Sequence, residues 1–281
     1  MASRALTLPP KRPLTSRVAH VLRVLRVIAG AEYKLKYSGS VLGYVWSVAK
    51  PLALFAMLYA VFGHIFKLGE ISNYYPLSLL VGIVLFTFFS DATSMGMWSL
   101  VARESLLRKL SFPRLVIPTA ATLTAAITFG INSVVVCFFI AWNGIVPQVS
   151  WLLVVPLLLE LYAFILGIAL VLSTLFVRLR DVGQVWELML QLMFYASPII
   201  YPMGFLPSYL RDLALLNPFT QVLQDIRAVV LYPDLAPNRI TIADSFDASY
   251  ARLVPIAIAF GILAFGLYFF RRQEPWLAER V

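Results

Sequence analysis

The stretch LVIPTAATLTAAITFGINSVVVCFFIAW, residues 115–142, runs for 28 residues without one charged side chain. As a helix it reaches about 42 Å at ~1.5 Å per residue, against a bilayer hydrocarbon core of about 30 Å. It is long enough to cross with tilt, or with its ends emerging on both sides. The rest of the chain agrees: 60% of its 281 residues are apolar, only 13% are charged, and the mean hydropathy is +0.83. That balance describes a bilayer protein rather than a water-soluble one. Five further stretches are apolar enough to cross, at about 45–66, 75–98, 151–177, 185–201 and 254–270. The expected fold is an all-α polytopic membrane protein with six transmembrane helices. Its short connections leave no room for a large soluble catalytic domain.

The net charge of +9 raises nucleic acid as a partner, but the cations sit beside the spans. Juxtamembrane Lys and Arg orient helices and meet anionic headgroups, whereas a nucleic-acid binder needs a soluble basic face. Counted on alternate sides of six crossings, eighteen Lys and Arg fall on the side of the termini and five on the other. Both termini are therefore expected in the cytoplasm. Residues 1–16 read as a flexible cytoplasmic tail, and 17–281 as a single transmembrane domain. The one cysteine, Cys137, lies in an apolar run and cannot build a disulfide within the chain.

Three connecting segments carry patterns of their own. Over 17–37, Val18, Val21, Leu22, Leu25 and Ile28 recur at helical spacing among Arg17, Arg23, Arg26 and Lys34. This predicts an N-terminal amphipathic interfacial helix. The loop VARESLLRKLSFPR, residues 101–114, mixes Arg103, Glu104, Arg108, Lys109 and Arg114 with Leu107 and Phe112, which suits a short amphipathic helix docking on a soluble partner. Between spans five and six, Asn217-Pro218 supplies a helix start. Beyond it Phe219, Val222, Leu223 and Ile226 mark one apolar face, with Gln221, Gln224, Asp225 and Arg227 largely elsewhere. Two short helices over 208–232 are expected as a re-entrant hairpin at the outer leaflet. Residues 234–249 read as a solvated outer loop.

The sequence contains no GxxxxGK[ST] phosphate loop, HExxH or paired-cysteine spacing. No cofactor or metal is expected on this chain, and energy has to come from elsewhere. Carboxylates inside a membrane cost about 2.5–3.5 kcal/mol each on the insertion scale, so Asp91 and Glu160 need partners or water. Asp91 is expected to face an interior, hydrated position. Tyr33, Tyr37, Trp46, Phe86, Phe89, Phe194 and Tyr195 are candidates to line a path, because aromatic faces stack on the C–H faces of sugar rings. The alternative for each is packing or an interfacial belt.

Four blocks carry a resemblance: EYKLKYSGSVLGYVWSVAKPL (32–52), LLRKLSFPR (106–114), RLRDVGQVWELMLQLMFYASPIIYP (178–202) and LNPFTQVLQDIRAVVLY (216–232). In this order they resemble the membrane subunit of polysaccharide-exporting ABC transporters, of the type-2 permease family. The similarity spans about residues 17–272. It implies a homodimer in the bacterial cytoplasmic membrane with two copies of a separate ATP-binding subunit, which would hold ATP and Mg. It also implies that 101–114 couples the chain to that subunit. The cargo implied is a lipid-linked polysaccharide such as an O-antigen, capsule, cell-wall glycan or teichoic acid. Glu160 and the loop 234–249 depart from the family pattern. The alternatives are an ABC permease for drugs or other lipids, and a proton-coupled carrier using Asp91 or Glu160.

Overall fold

The computed structural model describes residues 29–30, 43–71, 74–103, 113–231, 241–246 and 249–280. Every regular element among them is helical. Helix α1 (Gly43–Leu58) passes into a π-helical stretch, Tyr59–Ile65. Then come α2 (Tyr75–Ala102), α3 (Val116–Trp142), a 3₁₀ turn (Val149–Leu153) leading into α4 (Val154–Arg178), and α5 (Val182–Ala196). Two short helices follow, α6 (Ser208–Leu215) and α7 (Pro218–Val230), and then α8 (Leu253–Arg280). The expected interfacial helix lies outside the described residues except for Ala29 and Gly30, which are helical.

Among the described residues, five stretches are long and apolar enough to cross a membrane: Val45–Ile65, Tyr75–Ala102, Val116–Trp142, Val149–Arg178 and Leu253–Pro275. The segment expected as a crossing over 185–201 differs, because its helix spans only 15 residues and stops at Ala196. That is about 22 Å, short of a ~30 Å core. Pro198 is the reason. It disfavours helical backbone in the residue before it, and Ser197 is indeed extended, at ψ 142°. The last helical bond runs from Ser197 N–H to the Met193 carbonyl at 2.9 Å, and the chain then turns through Pro198–Ile200.

Helix α4 is the centre of the bundle, packed chiefly against α8 and α2. Small residues permit the close approach, as is usual for helices that meet in lipid. A Cβ added at Gly96 of α2 would lie 2.6 Å from the Ala169 Cβ of α4. One added at Gly167 of α4 would lie 2.7 Å from the backbone of Ile262 and Leu263 in α8. Phe89, Leu79, Ile83, Leu161, Ile165 and Phe219 fill the interior between α2, α4 and α7. Helix α1 is peripheral: 6% of its most apolar window is buried, against 72% for α2.

Helix α7 starts as its sequence predicts, with the Asn217 side chain accepting from Phe219 N–H at 3.0 Å and Pro218 in the first turn. Its polar face is not at the surface. Thr220, Gln221, Gln224, Asp225 and Arg227 are all buried, as are the apolar residues opposite. The 3.6-residue period distinguishes polar from apolar faces but not water from a polar interior, and here both faces of the helix are enclosed.

Candidate translocation site

A cleft of about 340 Å³ opens between α1, α2 and α5. Helix α2 contributes Phe86, Thr87, Ser90 and Asp91, α5 contributes Leu190, Gln191, Phe194 and Tyr195, and α1 contributes Leu54. Thr87, Ser90 and Asp91 share one face of α2 because they stand three and four residues apart. Opposite them Phe194 meets Phe86 edge-on at 5.0 Å, and Tyr195 meets Phe194 edge-on at 5.4 Å. The Trp186 indole N–H donates to Thr93 Oγ at 3.1 Å, fixing α5 against α2 one helical turn beyond the cleft. The result is an aromatic wall facing hydroxyl, amide and carboxyl groups inside a membrane-crossing bundle. Such a surface can stack on apolar ring faces and hydrogen-bond to hydroxyls at once.

Four expected path residues therefore meet in one cleft: Phe86, Asp91, Phe194 and Tyr195. Two others stand apart. Phe89 is fully buried, with its ring 5.7 Å from Phe164 and 5.5 Å from Phe219, so it is packing rather than lining. Trp46 is 56% exposed near the start of α1, away from the cleft. Tyr33 and Tyr37 lie outside the described residues, as do Glu104, Leu107, Arg108, Lys109 and Phe112. Sequence reading missed Thr87 and Gln191. The signal available was a polar stripe at positions 87, 90 and 91 in an otherwise apolar span.

At one end of the bundle, basic residues hold the helix ends together. Arg103 closes α2, and the Arg114 guanidinium donates to the Glu274 carbonyl at 2.9 Å. Arg178 donates to Gln273 Oε1 at 2.6 Å, and Arg180 lies 5.1 Å over the Phe176 ring. The C-terminal part of α8 is thereby tied to the chain just before α3 through Arg114 and to the end of α4 through Arg178.

Comparison with known proteins agrees with this architecture. The sequence pattern of the family described as ABC-2 type transporter matches residues 23–231. The chain belongs to that family. Among similar proteins is the O-antigen export system permease protein RfbA of Klebsiella pneumoniae, 30% identical over 207 residues, covering 73% of this chain and 79% of the relative. The Myxococcus xanthus protein of the same name is 27% identical, covering 73% and 80%. The polysialic acid transport protein KpsM of Escherichia coli is 20% identical, covering 71% and 78%.

Two buried polar groupings brace this ABC-2 type chain around α7. Arg227, 4% exposed, donates from Nε and Nη2 to the Ser78 carbonyl at 3.2 and 2.8 Å. It donates further to the carbonyls of Pro198 at 2.6 Å and Ile199 at 3.1 Å. Its planar fork thus gathers the backbone that Pro198 leaves outside helical bonding. Tyr75 O–H adds a bond to the Ile200 carbonyl at 2.8 Å. On another face of α7, Gln221 donates to Asp225 at 2.6 Å, and Arg252 approaches Asp225 at 3.6 Å. Glu160 of α4 lines the same small cavity, 5% exposed. Glu160 therefore faces α7 and Arg252 rather than the cleft.

Proposed function

We propose that this chain is the permease subunit of an ATP-driven exporter that moves lipid-linked polysaccharide across the cytoplasmic membrane of a bacterium. The observation that carries the reading is the cleft between α2 and α5, where aromatic and polar side chains converge, in a chain whose relatives are named for O-antigen and polysialic acid export. In this reading two copies pair and bring their clefts together. Two ATP-binding subunits, which hold ATP and Mg, dock beneath them. The chain makes six crossings, the fifth completed by α5 and the turn that follows it, with both termini cytoplasmic. Helices α6 and α7 form a re-entrant hairpin at the far side.

Residues 101–114 deliver the partner's motion, which reaches α2 directly through Arg103 and α3 through Arg114. Asp91→Asn and Phe194→Ala are expected to lower export of the glycan at least tenfold, about 1.4 kcal/mol, while insertion is kept. Radiolabelled glycan reaching the cell surface, measured against membrane abundance of the chain, reads this out. Arg108→Glu combined with Lys109→Glu is expected to abolish export and leave insertion intact. Normal export by that double variant removes the loop from the coupling path. Depletion of the chain with no internal build-up of glycan favours a different lipid cargo.

A further inference from the structure

Helices α3 and α4 both pack on α2, yet they touch one another much less than either touches α2. The divergence leaves an apolar groove of about 300 Å³, closed at the back by α7. Leu85, Phe129, Val136, Val154, Leu158 and Ile226 line it, and its flanks reach the surface at Cys137 and Val155, which are exposed. Water does not suit this space, since a buried water needs two to four polar partners. Among the lining side chains, the Ser133 hydroxyl already donates to the Phe129 carbonyl at 2.9 Å. Left empty, the walls would forfeit their dispersion contacts on one side. Hydrocarbon fits, with room for about ten groups the size of a water molecule, which is close to the size of a methylene.

One end of the groove is different in kind. Trp151, in the turn that begins α4, lines it, and its indole nitrogen is buried with no hydrogen-bond partner among the described residues. The neighbouring Ser150 hydroxyl is buried and unpartnered as well. Tryptophan at a span terminus sits at headgroup depth. A buried N–H without an acceptor, at one end of an apolar groove, calls for a ligand that is oxygen-rich at one end and alkyl beyond. A phospholipid has that construction. We propose that this groove binds a phospholipid of the surrounding bilayer, one acyl chain lying between α3 and α4 and an ester or phosphate oxygen accepting from the Trp151 indole N–H.

The experiment uses the full chain in proteoliposomes containing a trace of phosphatidylglycerol with a diazirine near the end of one acyl chain. After illumination, adducts are mapped by peptide mass spectrometry. Adducts on residues 133–140 and 154–158 are expected to exceed those on the lipid-facing side of α8, at Phe260 and Phe265, by about tenfold. Ser133→Trp, which fills the groove, should remove that excess. Trp151→Phe keeps a smaller aromatic ring and removes the donor, and should reduce the excess severalfold with folding unchanged. Equal adduct density on the groove and on α8 overturns the proposal. So does an excess unaffected by both variants. Displacement of the adducts by purified lipid-linked glycan, with no displacement by unlabelled phospholipid, overturns the identity of the ligand and assigns the groove to the cargo's anchor.

Discussion

Arg227 shows how much a single side chain can hold. It serves carbonyls from two parts of the chain while only 4% exposed itself. Arg227→Met orphans the Pro198 and Ile199 carbonyls at about 1–3 kcal/mol each, so a total loss of about 2 kcal/mol or more is expected in a denaturation series on the solubilised protein. Gly82 adjoins it: a Cβ there would lie 2.8 Å from Arg227 Nη2. Gly82→Ala should therefore cost about 1–3 kcal/mol, and the two substitutions together should cost less than their sum. Around Asp225 the signs differ. Among the described residues lining their cavity, Arg252 is the cation beside Glu160 and Asp225, so Arg252→Met leaves two carboxyl groups in a poorly solvated space and should lower the unfolding midpoint. Adding Glu160→Gln should restore most of that loss, whereas Glu160→Gln alone should not lower the midpoint. None of these partnerships was legible in the sequence. Arg227 and Asp225 read only as residues off the apolar face of a helix, because a polar residue is written the same way whether it meets water or a carbonyl.

At the level of elements, the long uncharged or nearly uncharged runs were legible almost to the residue. The helix expected over 115–142 forms as Val116–Trp142, and that expected over 151–177 forms as Val149–Leu153 followed by Val154–Arg178. Hydrophobic length decides these, and nothing competes with it. The stretch 185–201 failed as one helix because an apolar run containing a proline satisfies hydropathy without satisfying backbone bonding. Packing between α4 and α8 was equally hidden, since it depends on two glycines far apart in sequence. Gly266→Ala would drive a methyl group into the Gly167 carbonyl, where only backbone can yield. Loss of about 2 kcal/mol or more is expected, read as a lower thermal midpoint together with faster proteolysis near α8. In the cleft, Asp91, Phe86, Phe194 and Tyr195 were legible as types that suit a path, but Phe89 was not separable from them until its neighbours were known.

For the whole molecule, the arrangement of charge is the widest-ranging feature. Arg103, Arg114, Arg178, Arg180 and Arg271 gather at one end of the bundle, which orients the chain if that end faces the cytoplasm. A cysteine-reactive, membrane-impermeant reagent added outside intact cells should therefore fail to label a cysteine placed at position 275, yet should label one placed at 210 in α6. Reversed labelling would invert the topology proposed for every element. The crossing of α4 and α8 limits what such a body can do when it moves. Where main chain rests on main chain, no side chain can be compressed or exchanged, so the two rods have a fixed point in common. The two rods can come no nearer there, so a tilt of α8 against α4 is easiest about the contact of Gly167 with Gly266.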